Sequence, residues 1–427
     1  MSDIRLLTKN PVAMFGAILA IALGSVGIIW LLTNHMQPEW DMHYYIDMAT
    51  HGVIGNKDLA APFAYRLGAP LLVGLIANVL HCDPETTFRI CNALMCILFV
   101  VSCFYFARSF GASFDAAAFS GLSLSLYFFV TKWTLFSGTM VDIYAYPLLL
   151  FAFWALITDR FYLCLVVSGI ALFFKEFALL PLLTQTGALT IRTRVAEWRK
   201  LVKPLSLALL VILSCFVLPR FLIHVKQTFQ DIDPINQAST LRRLISYPLS
   251  RRHDFNIVFA YLSGWLPVLL LMNVRRWKTA WTTLRQYRVI FALYMAGHFA
   301  LTMYGGTNID IYITFCAPIQ ILVLIAILDK ERVPYWEMLT VLLIVFMYNR
   351  IWSTVPLPKN GLDAYLDFYG GYYMRVTPRS LMRMVELLSW IVAMWGLRFL
   401  VSELPSRERR SLARAAGVEV GASEELS

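Results

Sequence analysis

Apolar residues run along this chain in long stretches broken by short polar ones. A stretch of about 20 apolar residues is long enough to cross a bilayer as a helix. Such stretches fall near 11–33, 90–107, 113–131, 141–157, 203–221, 256–273, 288–303, 311–328, 334–350 and 380–400. Two further segments depart from that length. Residues 67–80 are short for a span, and residues 161–191 are long and interrupted by Lys175-Glu176. Two parses accommodate them. In the first, 67–80 lies in the external interface and 161–191 is a tight two-pass hairpin. In the second, 67–80 crosses and 161–183 crosses once. Both predict about twelve spans and a cytoplasmic C-terminus. The choice moves Asp142 and Lys175-Glu176 from one membrane face to the other.

Basic residues set the orientation, because Lys and Arg concentrate in cytoplasmic loops. Arg5 and Lys9 precede the first span. Two basic tracts follow, Arg192, Arg194, Arg199, Lys200 and Lys203, then Arg275, Arg276, Lys278, Arg285 and Arg288. The tail adds Arg407, Arg409, Arg410 and Arg414. These tracts place segments 222–255, 304–310 and 351–379 outside. They do not choose between the parses, since the first puts Arg108 and Arg160 inside and the second Arg89 and Lys132. The expected organisation is one transmembrane catalytic domain over 1–403, with a polar, disordered cytoplasmic tail over 404–427. Loop 34–66 is external; under the first parse the external unit extends over 34–88 and contains interfacial helices.

Composition agrees with this class and excludes others. The 427 residues are 59% hydrophobic and 15% charged, against roughly 45–50% and 25% in soluble domains. The net charge of +10 reflects loop orientation and does not suggest nucleic acid. All seven cysteines but Cys82 lie in apolar stretches; they form neither a disulfide framework nor a zinc spacing. The first span is too long for a cleavable signal peptide and reads as retained.

The candidate chemistry lies in polar clusters at span ends. After the first span comes Trp40-Asp41-Met42-His43-Tyr44-Tyr45-Ile46-Asp47, then Pro62-Phe63-Ala64-Tyr65-Arg66. Ionisable groups beside hydrocarbon are costly and usually functional. Asp41 and Asp47 are six residues apart, so on a helix they point to different faces and do not form a dyad. Asp41, flanked by Trp40 and Tyr44, is the candidate general base; a solvated capping carboxylate is the alternative, and the stronger reading for Asp47. His43 reads as a surface residue, and a metal site is weakly supported. Asp142 opens a span, where a carboxylate also suits the helix dipole. Lys175-Glu176 reads either as a self-paired structural couple or as a phosphate-binding Lys oriented by a carboxylate. Arg242, Arg243, Arg251, Arg252 and His253 crowd an external segment, against the usual bias. They suit either anionic head groups or a phosphate ester, which Arg's planar fork fits. Asp310 precedes a span next to Tyr312. Asp363, Tyr365, Asp367, Tyr369, Tyr372, Tyr373 and Arg375 enrich the last external loop, as an aromatic belt or as a sugar-stacking surface.

Three elements in this order resemble the GT-C superfamily of membrane glycosyltransferases, which includes protein mannosyltransferases and lipid A aminoarabinose transferases. The first is Asp41, Tyr45 and Ala49 in the loop after the first span; the second is Pro62, Tyr65, Arg66 and Pro70; the third is Asp142 before a later span. Lys175-Glu176 and the late Asp310, Tyr312 and Pro318 extend the likeness. The resemblance implies an all-α polytopic membrane fold and the first parse. It implies an inverting glycosyltransferase, moving a sugar from a polyprenyl-phosphate donor to an acceptor glycan, lipid or protein at the external face. Asp41 would deprotonate the acceptor. Arg66, Lys175 and the Arg242–Arg252 cluster would hold the leaving phosphate; Tyr45, Asp47, Tyr65, Asp142, Glu176, His253, Asp310 and Tyr312 would complete the substrate site. No metal ligands are assigned, and a divalent cation, Mg or Mn, is left open as cofactor. The implied location is a bacterial inner membrane, with the active site facing the periplasm. Two other classes compete: an O-antigen polymerase or ligase, which suits the Arg-rich external segment but not Asp41 or Tyr65-Arg66, and a lipid-linked glycan transporter, which predicts charges at mid-span rather than at span ends.

Overall fold

The computed structural model describes residues 10–36, 42–54, 56, 59–193, 197–226, 251–304, 309–357, 364, 368 and 378–415, with backbone alone at 251–254, 304, 379 and 402–415. The described chain is mainly helical. Helix α1 (Pro11–Leu31) is followed by the short α2 (Met42–His51), a 3-10 turn (Phe63–Tyr65) and α3 (Gly68–Leu80). Then come α4 (Pro84–Ser109), α5 (Phe114–Ser125), α6 (Lys132–Ser137), α7 (Asp142–Ile157), α8 (Phe161–Leu172) and α9 (Leu179–Arg192). The second half begins with α10 (Arg199–Leu222). It continues through α11 (Arg251–Gly264), α12 (Leu266–Leu271), α13 (Val274–Leu284) and α14 (Arg288–Tyr304). The last three are α15 (Ile309–Lys330), α16 (Tyr335–Tyr348) and α17 (Pro378–Ala415).

Five helices are long and apolar enough to cross a membrane by length and composition: α1, α4, α10, α15 and the 380–401 part of α17. Five shorter apolar helices accompany them, α3, α7, α8, α16 and the 255–264 part of α11.

Polar contacts sort the helix ends into two levels. At one level, Arg89 on α4 donates to the Met36 carbonyl at 2.7 Å, the Met36 N–H to Phe136, and Lys175 pairs with Asp142 at 2.7 Å. At the other, Arg192 pairs with Asp159 at 3.1 Å, Ser113 donates to Asp329 at 2.5 Å, and Arg276 and Arg398 both bind Glu337. The first is called the site face here and the second the basic face.

This sorting decides between the two parses. Lys175, beyond the end of α8, pairs with Asp142 at the start of α7, so α7 and α8 are antiparallel. Arg192, at the end of α9, returns to Asp159 in the α7–α8 turn. Residues 161–191 are therefore a two-pass hairpin, broken at the site face. The break has a cause in the sequence: a proline removes a helical donor and clashes with the carbonyl four residues earlier, so Pro181 fits only near a helix start, and α9 begins at Leu179. Helix α3 begins at the same face, where the Gly68 N–H donates to Phe173 at 2.8 Å. It ends beside the start of α4, whose Arg89 is also at that face. Both ends of α3 lie at one level, so it does not cross. It packs on α2 closely enough that a Cβ at Gly74 would collide with the Ala49 carbonyl.

Helix α17 continues past residue 404 to Ala415. The tail expected to be disordered thus begins as helix, because its Arg, Glu, Leu and Ala favour that state; residues 416–427 lie outside the described part.

A buried lysine fixes the site face. Lys132 is fully buried and donates to the carbonyls of Leu32 at 3.0 Å, Ile351 at 2.7 Å and Ser353 at 2.5 Å. It ties the end of α1 to the segment after α16. Each carbonyl left unsatisfied costs about 1–3 kcal/mol, so Lys132→Met should lower the thermal midpoint in detergent markedly. An unchanged midpoint would mean that these carbonyls are satisfied without the ammonium.

The arrangement of α3 also makes a labelling prediction. Cys82, just after α3, is exposed, and the other cysteines are buried or partly so. A membrane-impermeant maleimide should reach Cys82 from one side of sealed vesicles. In a Cys82→Ser background, Asp159→Cys should be labelled only from the other side. Labelling of both from the same side would refute the hairpin and the interfacial α3 together.

Candidate active site

The break between α8 and α9 organises the site. Lys175 is extended, with φ −157 and ψ 137, and successive side chains of an extended backbone point to opposite sides. Lys175 and Glu176 are therefore not the self-paired couple that sequence adjacency allows. Lys175 turns to Asp142, and both side chains are nearly buried, at 4% and 5% exposure. Glu176 turns to Arg66, which follows the 3-10 turn. The Arg66 guanidinium donates to the two Glu176 oxygens at 2.9 and 3.4 Å and to the Tyr45 hydroxyl at 3.1 Å. This fork is the geometry in which Arg binds a carboxylate most firmly.

Aromatic rings line the cluster. The Lys175 ammonium sits 5.5 Å from the Tyr312 ring centroid, and Tyr312 stacks on Phe177 at 4.4 Å. The Arg220 guanidinium, near the end of α10, lies 4.9 Å from the Tyr65 ring and 3.7 Å from Phe216. It also donates to the Phe216 carbonyl at 2.5 Å. Three cations, Arg66, Lys175 and Arg220, thus meet two carboxylates, Asp142 and Glu176. Among the described residues of the cluster the surplus is positive.

Charge sets the state of Glu176. Burial pushes its pKa up, but the adjacent Arg66 and Lys175 more than reverse this and hold the carboxyl well below the usual carboxylate range. Glu176 is an anion that orients Arg66, and it is unsuited to carry a proton at neutral pH.

The other sequence candidates fall into three groups. Asp41, Arg242 and Arg243 lie outside the described residues. Arg251, Arg252 and His253 open α11, where the backbone alone is described. Asp47 and Asp310 are placed, but apart from the cluster. Asp47 binds His51 at 2.7 Å and Asn56 at 2.5 Å, which is the local structural role. Asp310 is buried at the start of α15, with the Tyr127 hydroxyl at 3.3 Å, beside a small cavity that also meets Ser263, Tyr348 and Asn349.

Sequence reasoning missed Arg220, Phe177, Tyr127 and His298. Arg220 sits at the end of an apolar span, where a cation ordinarily reads as an interfacial anchor. His298 holds the Tyr312 carbonyl at 2.8 Å and meets the Tyr261 hydroxyl at 2.6 Å, so it positions the segment that carries Tyr312. As a lone His within a span, it offered no pattern to find it by.

Among the described residues no three His, Cys, Asp or Glu side chains gather, and both carboxylates of the cluster already hold a cation.

No family model matches this chain, and no curated protein matches it. The crystal structure of ArnT from Cupriavidus metallidurans, bound to undecaprenyl phosphate, does match. It aligns with 91% of this chain and 75% of its own length, at a TM-score of 0.50 and 16% identity. At that identity the likeness is one of fold. The chain is an all-α, multi-pass membrane protein whose fold resembles that of ArnT.

Proposed function

We propose that this chain is an inverting glycosyltransferase that moves a sugar from a polyprenyl-phosphate donor to an acceptor glycan, lipid or protein at the site face. The observation that carries the reading is the positive surplus at the hairpin break. Arg66 and Lys175 each hold a carboxylate. Arg220 is held by two rings and a carbonyl, with no carboxylate bound to it among the described residues, which suits it to an anionic ligand. The fold likeness to ArnT, whose crystal structure holds undecaprenyl phosphate, is consistent with a lipid phosphate as that anion.

The transfer is a single displacement. An acceptor oxygen or nitrogen attacks the anomeric carbon, and the bond from that carbon to the phosphate oxygen breaks. The phosphate leaves as a monoester with one more negative charge than it had as a diester. Fixed cations stabilise that developing charge in the transition state, and Arg220, Lys175 and Arg66 are so placed. Asp142 positions Lys175, and Glu176 positions Arg66. Asp41 takes the acceptor proton, and Tyr65 and Tyr312 form the aromatic walls. The Arg242, Arg243, Arg251, Arg252 and His253 segment contributes further phosphate contacts from outside.

Sidedness follows from charge. Arg108, Arg160, Arg192, Arg275, Arg276, Lys278, Arg285 and Arg288 all belong to the basic face or its connections, which makes that face cytoplasmic by the usual bias. The site face is then external, facing the periplasm if the host membrane is a bacterial inner membrane.

Purified protein should transfer sugar from one member of a panel of polyprenyl-phosphate sugars. Removing one donor that binds developing charge costs about 10²–10³ in rate, and removing a general base about 10²–10⁴. Arg220→Gln and Asp41→Asn should show losses of those sizes. Transfer that survives both would refute the site, and turnover confined to polyprenyl-diphosphate glycans would place the protein among the polymerases and ligases.

The low pKa of Glu176 makes a pH prediction. A depressed carboxylate contributes stability above its unfolded pKa of about 4.3 and loses it only as pH falls towards the lower folded value. The Arg66–Glu176 pair should therefore stay intact from pH 5 upward. Glu176→Gln should lower kcat and leave the acid limb of the pH–rate profile where it is. A limb that shifts or vanishes in this variant would make Glu176 the titrating base.

A further inference from the structure

Helix α10 does not wind regularly over its whole length. Leu213–Val217 form a wide turn, in which the Leu218 N–H donates to the carbonyl of Leu213, five residues back. Ordinary α-helical bonds reach four residues back, so this turn holds one residue more. Pro219 supplies the reason. A proline has no N–H, and in a helix interior its ring clashes with the carbonyl four residues earlier, which here is that of Cys215. The first turn of a helix tolerates it, and Pro219 stands in the first turn of the regular helix that resumes over Leu218–Leu222.

The extra residue decides where Arg220 points. Each residue of a regular helix turns by about 100°. Arg220 is seven residues beyond Leu213 and eleven beyond Leu209, so regular winding would set it within about 20° of both. Leu209 and Leu213 lie on the exposed apolar side of α10, at 55% and 46% exposure. The wide turn sets everything after it back by one residue, or about 100°. Arg220 then takes the direction that position 219 would have had, in line with Ala208 and Ile212. Those two pack with Leu165 and Leu182 of the hairpin, and Cys215 and Phe216 pack on Ala171, Leu172 and Ala178 beside its break. The Arg220 guanidinium accordingly reaches the Tyr65 ring, 4.9 Å from its centroid.

We propose that Pro219 is a positioning residue for the transfer, a role that rests on the proposed function of Arg220. It acts through the wide turn, which brings Arg220 from the exposed apolar side of α10 to the site. Pro219 touches no substrate in this scheme. Alanine, the best helix former, has an N–H to give the Cys215 carbonyl, so Pro219→Ala lets α10 wind regularly. Arg220 then turns away, although no group of the site has been removed.

Register and reaction are read separately, in the full-length protein. Tyr65→Cys and Arg220→Cys, in a Cys82→Ser background, are treated with a short bifunctional maleimide, and the bridged peptide is measured by mass spectrometry. The bridge should form with Pro219 in place and be lost in Pro219→Ala. In the otherwise wild-type chain, Pro219→Ala should lower kcat for sugar transfer about 10²–10³-fold, the loss expected on removing one such donor. In a regular helix, moving the arginine back by one position restores its direction, so Pro219→Arg with Arg220→Ala should recover most of that loss. A merely structural proline would give no such recovery. A bridge that persists in Pro219→Ala would overturn the proposal, as would an unchanged kcat or a double variant no better than Pro219→Ala. The bridge needs no turnover. A chain that transfers sugar from no donor therefore refutes the proposed function, while the bridge still decides the register.

Discussion

The site face depends on two ion pairs, one buried and one partly buried, that share one point in the chain, the extended Lys175. Because its backbone is extended, the Lys175 and Glu176 side chains diverge. One reaches Asp142 at the start of α7 and the other Arg66 beyond α2. The two pairs therefore join the loop after α1, α7 and the α8–α9 hairpin at a single spot. The Lys175–Asp142 pair is the buried one. Breaking a buried pair by deleting one partner typically costs 3–5 kcal/mol, because the other charge is left uncompensated. The arrangement is best understood as four mutually required charges, none of which tolerates its place without its partner.

That constraint shapes what surrounds it. Helix α3 is held across the face by Gly68 beside Phe173 and by Gly74 against Ala49, so the first loop forms a floor and does not add a span. Lys132 fastens the end of α1 to the segment after α16. The basic face has its own network, Arg276 and Arg398 on Glu337. Among the described residues, the buried Asp, Glu, Lys and Arg side chains lie at one face or the other. A transport path would need charge at mid-span, and this distribution suits chemistry at a surface.

Much of this was legible in the chain, and the illegible parts have physical reasons. The apolar stretches locate the helices, since burial in hydrocarbon demands them. Which side of the membrane held Asp142 was not legible, because both parses balance their basic residues equally. The pairings of Lys175 with Asp142 and Arg192 with Asp159 put Asp142 at the end of the hairpin opposite Arg192. Adjacency misled at Lys175-Glu176, since a sequence does not display its backbone angle there. Asp47 followed the plainer reading, a carboxylate caught by His51 one turn on. Arg220 was hidden by its position: a cation at a span end is usually an anchor, and only its packing between Tyr65 and Phe216 distinguishes it.

The packing of Arg220 also bears on how the site would work. A guanidinium held by two ring faces and one carbonyl is fixed in place before any anion arrives, so it loses little freedom on binding. Its charge is partly desolvated there, and Glu176 offsets that cost only through space, with no direct ion pair among the described residues, which leaves a place for an incoming anion. Arg66 and Lys175 are the opposite case, satisfied already and so held rigid by their carboxylates. A phosphate that gains charge as its bond to the sugar breaks would draw most strongly on the cation that has no fixed counter-ion. The two neutralised pairs then serve to hold that charge in register, and the difference between Arg220 and its neighbours is what would turn a binding site into a catalytic one.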